Sequence, residues 1–366
     1  MTAVGADRVV TWTSASPVVA LVVLALTWGR YPGTLLAVAV ALVLAAAVLA
    51  AVHHAEVIAA RVGEPYGSLV LAVAVTVIEV GLIVTLMVAG GSGASSLARD
   101  TVFAAVMITC NGILGLSLLV GAIREGITVF NAEGTGAALA TVAVLATTTL
   151  VLPTFTTARP GPEFSPGQLA FAAVASLVVY GMFTVTQTIR HRDFFLPVAA
   201  DGELLPEDAH AAPPSRRQTL TSLVLLAVAL VGVVGLAKVE SPAIEKAVSA
   251  LGFPESFVGV VIALVVLLPE TIAASNAARR GRVQTSLNLA LGSAIASIGL
   301  TIPAIAVAMI WLDGPLLLGL GSTQLVLLVL TVLVGVLTVV PGRAVRLQGG
   351  LHLVLLAAFV FLAARP

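Results

Sequence analysis

Residues 67–89 read GSLVLAVAVTVIEVGLIVTLMVA and residues 257–278 read FVGVVIALVVLLPETIAASNAA. Each run is apolar and long enough to cross a hydrocarbon layer as a helix. Each carries one acid near its middle, Glu79 and Glu270, and neither contains a lysine or arginine. An ionised side chain at bilayer depth is costly, so it marks an ion or proton path. With no cationic side chain beside it, each carboxylate must hold a proton, a cation or water in a cavity.

Composition sets the class. Of 366 residues, 59% are hydrophobic and only 10% charged, and the mean hydropathy is +1.11. These values describe an all-α polytopic membrane protein whose first partner is the lipid bilayer. A formal net charge of zero argues against nucleic acid as a partner. Cys110 is the single cysteine and cannot form an internal disulfide. No His-Glu-x-x-His pair, nucleotide loop, Ser–His arrangement or paired-Asp arrangement is present, so the chain does not read as an enzyme and calls for no cofactor.

Loop signals divide the chain into eleven apolar segments, at about 16–28, 34–52, 67–89, 101–123, 136–152, 168–189, 220–239, 257–278, 287–311, 316–340 and 351–364. The first is short. It follows Arg8 but no small-x-small cleavage site succeeds it, so it reads as a retained helix. Residues 190–218 form the one long polar stretch, with Asp201, Glu203, Glu207, Asp208 and the Pro213-Pro214 pair, and read as a solvated linker. Placing the N-terminus and this linker on one side collects 12 of the 18 arginines and lysines there, against 6 opposite. The positive-inside rule makes that side the cytoplasm, and the expected location is a cell inner (plasma) membrane.

Superposing the two glutamates exposes a repeat. Gly67 precedes Glu79 by twelve residues and Gly259 precedes Glu270 by eleven. Each glutamate segment leads into one rich in small and hydroxyl residues: Asn111, Gly112, Gly115 and Ser117, then Gly292, Ser293, Ala296, Ser297 and Gly299. The expected organisation is an extra N-terminal helix (1–33), a five-helix repeat (34–189), the linker (190–218) and a second five-helix repeat (219–366). Two odd repeats insert with opposite orientation and place their site at the midplane between them.

Around Glu270, Pro269 has no N–H for the carbonyl of Val265, which is freed to face a cavity. A carboxylate beside free carbonyls suits calcium, sodium or potassium and poorly suits zinc or copper. Thr76 lies one turn before Glu79 on the same face. Asn111, Ser117, Ser293 and Ser297, with Asn288 and Thr109 less directly, are candidate neutral ligands, although such residues more often serve helix packing. Two carboxylates match one divalent cation or two protons and, sharing a site, titrate as a unit. A site that must be filled by either species before it reorients is an exchanger. His53, His54 and Glu56 look like a metal cluster but read as the polar end of a segment. Glu64 is placed at the interface as a helix cap or an entrance. A passive channel is the competing class; it would need a homo-oligomer to build a symmetric filter.

The stretches Gly63-Glu64-Pro65-Tyr66-Gly67, Val75-Thr76-Val77-Ile78-Glu79-Val80 and Leu97-Ala98-Arg99-Asp100-Thr101 resemble the first repeat of ChaA-type calcium/proton antiporters, in the cation/proton exchanger branch of the sodium/calcium exchanger superfamily. Leu268-Pro269-Glu270, Gln284, Leu287-Asn288-Leu289 and the run from Gly292-Ser293 to Thr301-Ile302-Pro303 resemble the second. The resemblance implies proton-driven calcium export, with sodium or potassium as further cargo, and makes Glu79 and Glu270 the paired cation- and proton-binding carboxylates. The chain departs from that pattern in three places. The Gly-Asn pair often found ahead of the glutamate is absent from both halves, Ile78 stands where the second half has Pro269, and Thr271 stands where a histidine often follows.

Overall fold

The computed structural model describes residues 11–30, 33–63, 66–90, 93–198 and 213–366. Glu64 and the linker acids Asp201, Glu203, Glu207 and Asp208 lie outside these residues, as does Arg8. The described chain folds into α1 (Trp12–Thr27), α2 (Thr34–Val62), α3 (Tyr66–Ala89), α4 (Leu97–Glu125), α5 (Ala132–Phe155), α6 (Pro166–Arg190), α7 (Arg216–Ala250), α8 (Phe257–Val266 and Leu268–Arg279), α9 (Val283–Ala308), α10 (Ser322–Val339) and α11 (Arg346–Ala364). Gly63 and Gly126, both at positive φ, stop α2 and α4. Ser165 and Ser215 open α6 and α7 with capping boxes closed by Gln168 and Gln218.

The eleven expected segments correspond to these eleven helices, with corrections. Among the described residues nine are long and apolar enough to span, and α8 makes a tenth when its halves, bent by 55°, count as one. The 16 residues of α1 rise only about 24 Å, short of a hydrocarbon core of about 30 Å. Helix α2 continues to Val62, so His53, His54 and Glu56 lie within a helix and not at its end. Helix α7 extends to Ala250 and takes in Lys238, Glu240, Glu245 and Lys246, which the sequence placed at an edge or in a loop. The start of the linker is folded too. A 3-10 turn, Arg192–Phe195, buries Phe195, and the Asn288 amide donates to the Phe195 carbonyl at 2.7 Å.

Helices α4 and α9 form the centre. Ala98, Ala104 and Ala105 on α4 and Ala290 and Ala294 on α9 are buried, and such small residues let backbones approach. Helix α3 packs on α9, and both halves of α8 pack on α4, so each glutamate helix meets the central helix of the other half. Peripheral helices turn apolar side chains outward, as Phe171, Val174, Val178 and Met182 do on α6. Hydrocarbon covers such a face without cost.

The two ends of the bundle are closed differently. On the end bearing the 190–218 connection, strand β1 (Thr128–Val129) pairs antiparallel with β2 (Arg343–Ala344). On the opposite end an extended strap, 314–321, buries Leu316, Leu318 and Leu320. Its backbone is hydrogen-bonded: Leu317 N–H donates to Ser95 O (2.9 Å), Gly319 N–H to Pro162 O (3.0 Å) and Leu320 N–H to Leu150 O (2.9 Å). Irregular backbone is tolerated inside a membrane protein only with partners of this kind. Arg99 is ion-paired with Asp100 at 2.8 Å and donates to Gly319 O at 3.3 Å, fixing the strap to α4.

A close backbone crossing joins α4 to α11. A Cβ on Gly115 would lie 2.8 Å from the His352 Cβ, and one on Gly349 would lie 2.7 Å from the Leu119 nitrogen. Overpacking of this kind costs about 1–3 kcal/mol. Gly349→Ala is therefore expected to lower the thermal unfolding midpoint of detergent-purified protein. Gly350→Ala, where a Cβ meets nothing within 4 Å, should leave it nearly unchanged.

Candidate functional site

A cavity of about 250 Å³ opens between α3, α4, α6, α8 and α9, and both Glu79 and Glu270 line it. Glu79 is buried, and each of its oxygens accepts a hydrogen bond from α9: Oε1 from the Ser297 hydroxyl (2.7 Å) and Oε2 from the Thr301 hydroxyl (3.0 Å). The apolar sequence of α3 fixes the depth of Glu79, and the four-residue spacing of Ser297 and Thr301 puts both hydroxyls on one helix face. Glu270 is held differently. Its Oε2 is enclosed yet has no hydrogen-bond partner among the described residues. It sits in the first turn after the break in α8, where Leu267 separates the two halves and Pro269 stands at the start of the second. The Thr271 hydroxyl donates to the Leu267 carbonyl at 2.7 Å and steadies that break.

The lining gives the cavity a direction. On α9 it runs from Ser297 to Thr285, twelve residues or about 18 Å of helix. Thr285 is exposed and lies toward the linker end, whereas Ser297 is buried. Toward the strap end the next residues are Ile83, Val102, Ile298 and Ile302, all fully buried. The cavity therefore opens on the linker side and is sealed on the strap side.

The sequence-selected residues divide into two groups. Thr76, Asn288, Ser293 and Ser297 line the cavity with the glutamates. The Thr76 hydroxyl donates to Ala72 O (2.8 Å), and both ends of the Asn288 amide are engaged, by Phe195 O and by Gln284. Val265 lies before the break and packs into the apolar cluster of α2, α3 and α7; Val266 and Leu267 line the cavity in its place. Asn111 and Ser117 are elsewhere. Asn111 sits in a π-turn (Ile108–Ile113), donates to Thr331 (2.9 Å) and meets His352 Nδ1 at its Oδ1 (3.1 Å). Ser117 meets Ser286 at 2.5 Å, and Ser286 donates to Ala274 O, tying α4, α9 and α8 together. Thr109 donates to its own helix, at Ala105 O.

His54 is held by the Thr13 carbonyl and by Ser222. Among the described residues no group of three or more His, Cys, Asp or Glu side chains is placed to hold a metal. Sequence reasoning missed the wall supplied by α6, where Tyr180, Phe183, Thr184 and Gln187 face the cavity. Their spacing of three and four residues was the available signal. It also overlooked Glu240, a buried carboxylate in α7 whose Oε1 has no partner among the described residues.

A bundle of apolar helices around a cavity lined by two carboxylates is the architecture of a multi-pass membrane protein. Residues 32–189 and 221–365 match the sodium/calcium exchanger protein family, and the chain belongs to that family. Over 348 residues it is 34% identical to the sodium-potassium/proton antiporter ChaA of Escherichia coli strain K12, covering 94% of this chain and 93% of that one. It is 47% identical over 327 residues to the y4hA protein of Sinorhizobium fredii strain NGR234, covering 88% and 87%. Among solved structures, native YfkE superposes with a TM-score of 0.69 at 16% identity, covering 96% of this chain and 98% of that one. The H+/Ca2+ exchanger CAX superposes at 0.67, also with 16% identity, covering 96% and 91%. The resemblance to ChaA-type exchangers and the helical fold expected from the sequence are borne out.

Cys110 is the only cysteine and is buried, which leaves a silent background for thiol chemistry. A Thr285→Cys variant should react with a membrane-impermeant thiol reagent added on the linker side. It should stay unlabelled by reagent on the strap side, and the parent protein should stay unlabelled by either.

Proposed function

We propose that this exchanger is a proton-driven antiporter that exports Ca2+ in exchange for H+ through the Glu79/Glu270 cavity, as a multi-pass protein of a bacterial plasma membrane with the linker side in the cytoplasm. The observation that carries the reading is that both carboxylates, Glu79 buried and Glu270 half-buried, line one cavity open to one side only. Two carboxylates balance one Ca2+ or two protons, so either cargo leaves the site neutral while it crosses the apolar interior. Hydroxyls of Thr76, Ser293, Ser297 and Thr301 are neutral oxygens suited to a hard cation. The arginine excess on the linker side supports the orientation.

The halves 34–189 and 219–366 act as two inverted repeats, with 1–33 as an extra helix and 190–218 as the tether. Two observations support this division: the family match falls in two stretches, and each glutamate helix packs on the central helix of the other half. In an inverted repeat the second orientation comes from one helix group moving past the other, which would close the linker side and release the strap. In this state the protein faces inward, ready to take up cytosolic cation.

A second reading, Na+ or K+ in exchange for H+, is favoured by the 34% identity to a sodium-potassium/proton antiporter along nearly the whole chain. Thr271 in place of the histidine that often follows the second glutamate fits it as well.

Acid-loaded everted vesicles containing a pH-sensitive dye test both readings. Added Ca2+ should evoke alkalinisation, and Na+ or K+ added separately defines the range. Glu79→Gln and Glu270→Gln should each abolish the response to every cation. A cation flux that persists without a proton gradient would replace the antiporter with a channel.

A further inference from the structure

The ends of α1, α3 and α7 enclose a second cavity, of about 360 Å³, separate from the glutamate site. Arg30, Lys238 and Glu245 are its charged walls, with Trp28 beside them. Helix α7 begins at the linker side, and the 22 residues from Arg216 to Lys238 rise about 33 Å. A hydrocarbon core is about 30 Å thick, so the cavity lies at headgroup level on the strap side. Tryptophan belongs at such levels, and Trp12 and Trp28, both exposed, mark the two ends of α1.

Two lipid-facing stripes lead into this cavity. On α7, Val224 and Val231 are exposed at seven-residue intervals before Lys238, on one face. On α1, Val18, Val22 and Leu26 are exposed at four-residue intervals and end beside Trp28. Charge at the top of these stripes is mixed. The Lys238 ammonium stands 5.3 Å from the centre of the Trp28 ring, and Glu245 Oε1 accepts from the Ser241 hydroxyl at 3.1 Å. Among the described residues no ion pair joins Arg30, Lys238 and Glu245, so two cations and a carboxylate face the cavity without neutralising one another.

We propose that this cavity binds a zwitterionic aminophospholipid of the strap-side leaflet, its phosphate between Arg30 and Lys238 and its primary ammonium on Glu245. Guanidinium and ammonium groups both bind phosphate through charge-assisted hydrogen bonds. Lys238 and Glu245 lie seven residues, or about 10 Å, apart along one face. A phosphate and an amine two carbons away span that gap between the two side chains. A purely anionic headgroup would meet Glu245 as a like charge, and a quaternary amine would bring it no N–H. The acyl chains then lie along the exposed stripes of α1 and α7, and the lipid ties the short first helix to the bundle.

The test offers full-length detergent-purified protein mixed micelles of phosphatidylethanolamine, phosphatidylglycerol or phosphatidylcholine, and reads retained lipid by native mass spectrometry. Phosphatidylethanolamine should be retained about fivefold better than the other two, the share that one charge-assisted contact supplies. Glu245→Gln should erase its advantage over phosphatidylglycerol. An Arg30→Gln, Lys238→Gln double variant should weaken retention of all three lipids. The three side chains are exposed, so the variants should keep the wild-type unfolding midpoint in lipid-free detergent. Equal retention of the three lipids, a preference for phosphatidylglycerol, or a preference unchanged in Glu245→Gln would each overturn the assignment. None of these outcomes bears on exchange through Glu79 and Glu270.

Discussion

Two carboxylates sit inside an apolar bundle with no cationic side chain to neutralise them, and much of the architecture follows from that. Each must be solvated by neutral groups or by cargo, since an uncompensated charge at this depth is prohibitive. Glu79 meets the demand with two hydroxyls from α9. Glu270 lines the cavity, its Oε2 enclosed and without a protein donor among the described residues. The sealed strap side and open linker side follow from the same demand, because water that reached the glutamates from both ends would short-circuit a coupled exchange.

Much of this was legible in the sequence because it depends on depth alone. A run of apolar residues fixes where its midpoint lies, so Glu79 and Glu270 could be placed before any contact was known. Ser297 and Ser293 were legible for a related reason, as polar residues in a helix otherwise suited to burial. What stayed hidden depends on rotation about a helix axis. Asn111 has the chemistry of a ligand, yet the π-turn that carries it aims its amide at Thr331 and His352. Gln187 and Thr184 lie on a helix whose other faces are exposed and apolar, and so passed for the fringe of a lipid-facing span. Helix ends were misjudged where helix continues past the apolar stretch. Once the bilayer is left behind, hydropathy no longer reports on backbone conformation, as Lys238, Glu240 and Lys246 in α7 illustrate.

The polar residues that did not join the cavity have their own logic. Asn111, Thr331, Thr338 and His352 form a buried hydrogen-bonded chain linking α4, α10 and α11. Gly115 and Gly349 hold two of those helices in backbone contact. Satisfied networks and small-residue crossings rigidify an interface. That block is thus a firm support on one flank of the site. The wall from α6 meets the cavity through the side chains of Tyr180, Phe183, Thr184 and Gln187.

The break in α8 carries one more consequence. A continuous helix would leave its terminal partial charges at the two membrane surfaces, in contact with water. Ending one half at Val266 and starting another at Leu268 brings a pair of opposite helix ends to the middle of the bilayer. Each is equivalent to roughly half an elementary charge. The positive end lies under the Glu270 backbone, while the negative end at Val266 and Leu267 favours whatever cation lies beside it. Broken at that point, the helix is a fixed bipolar electrode, and the peptide backbone itself contributes to holding an ion where lipid would reject it.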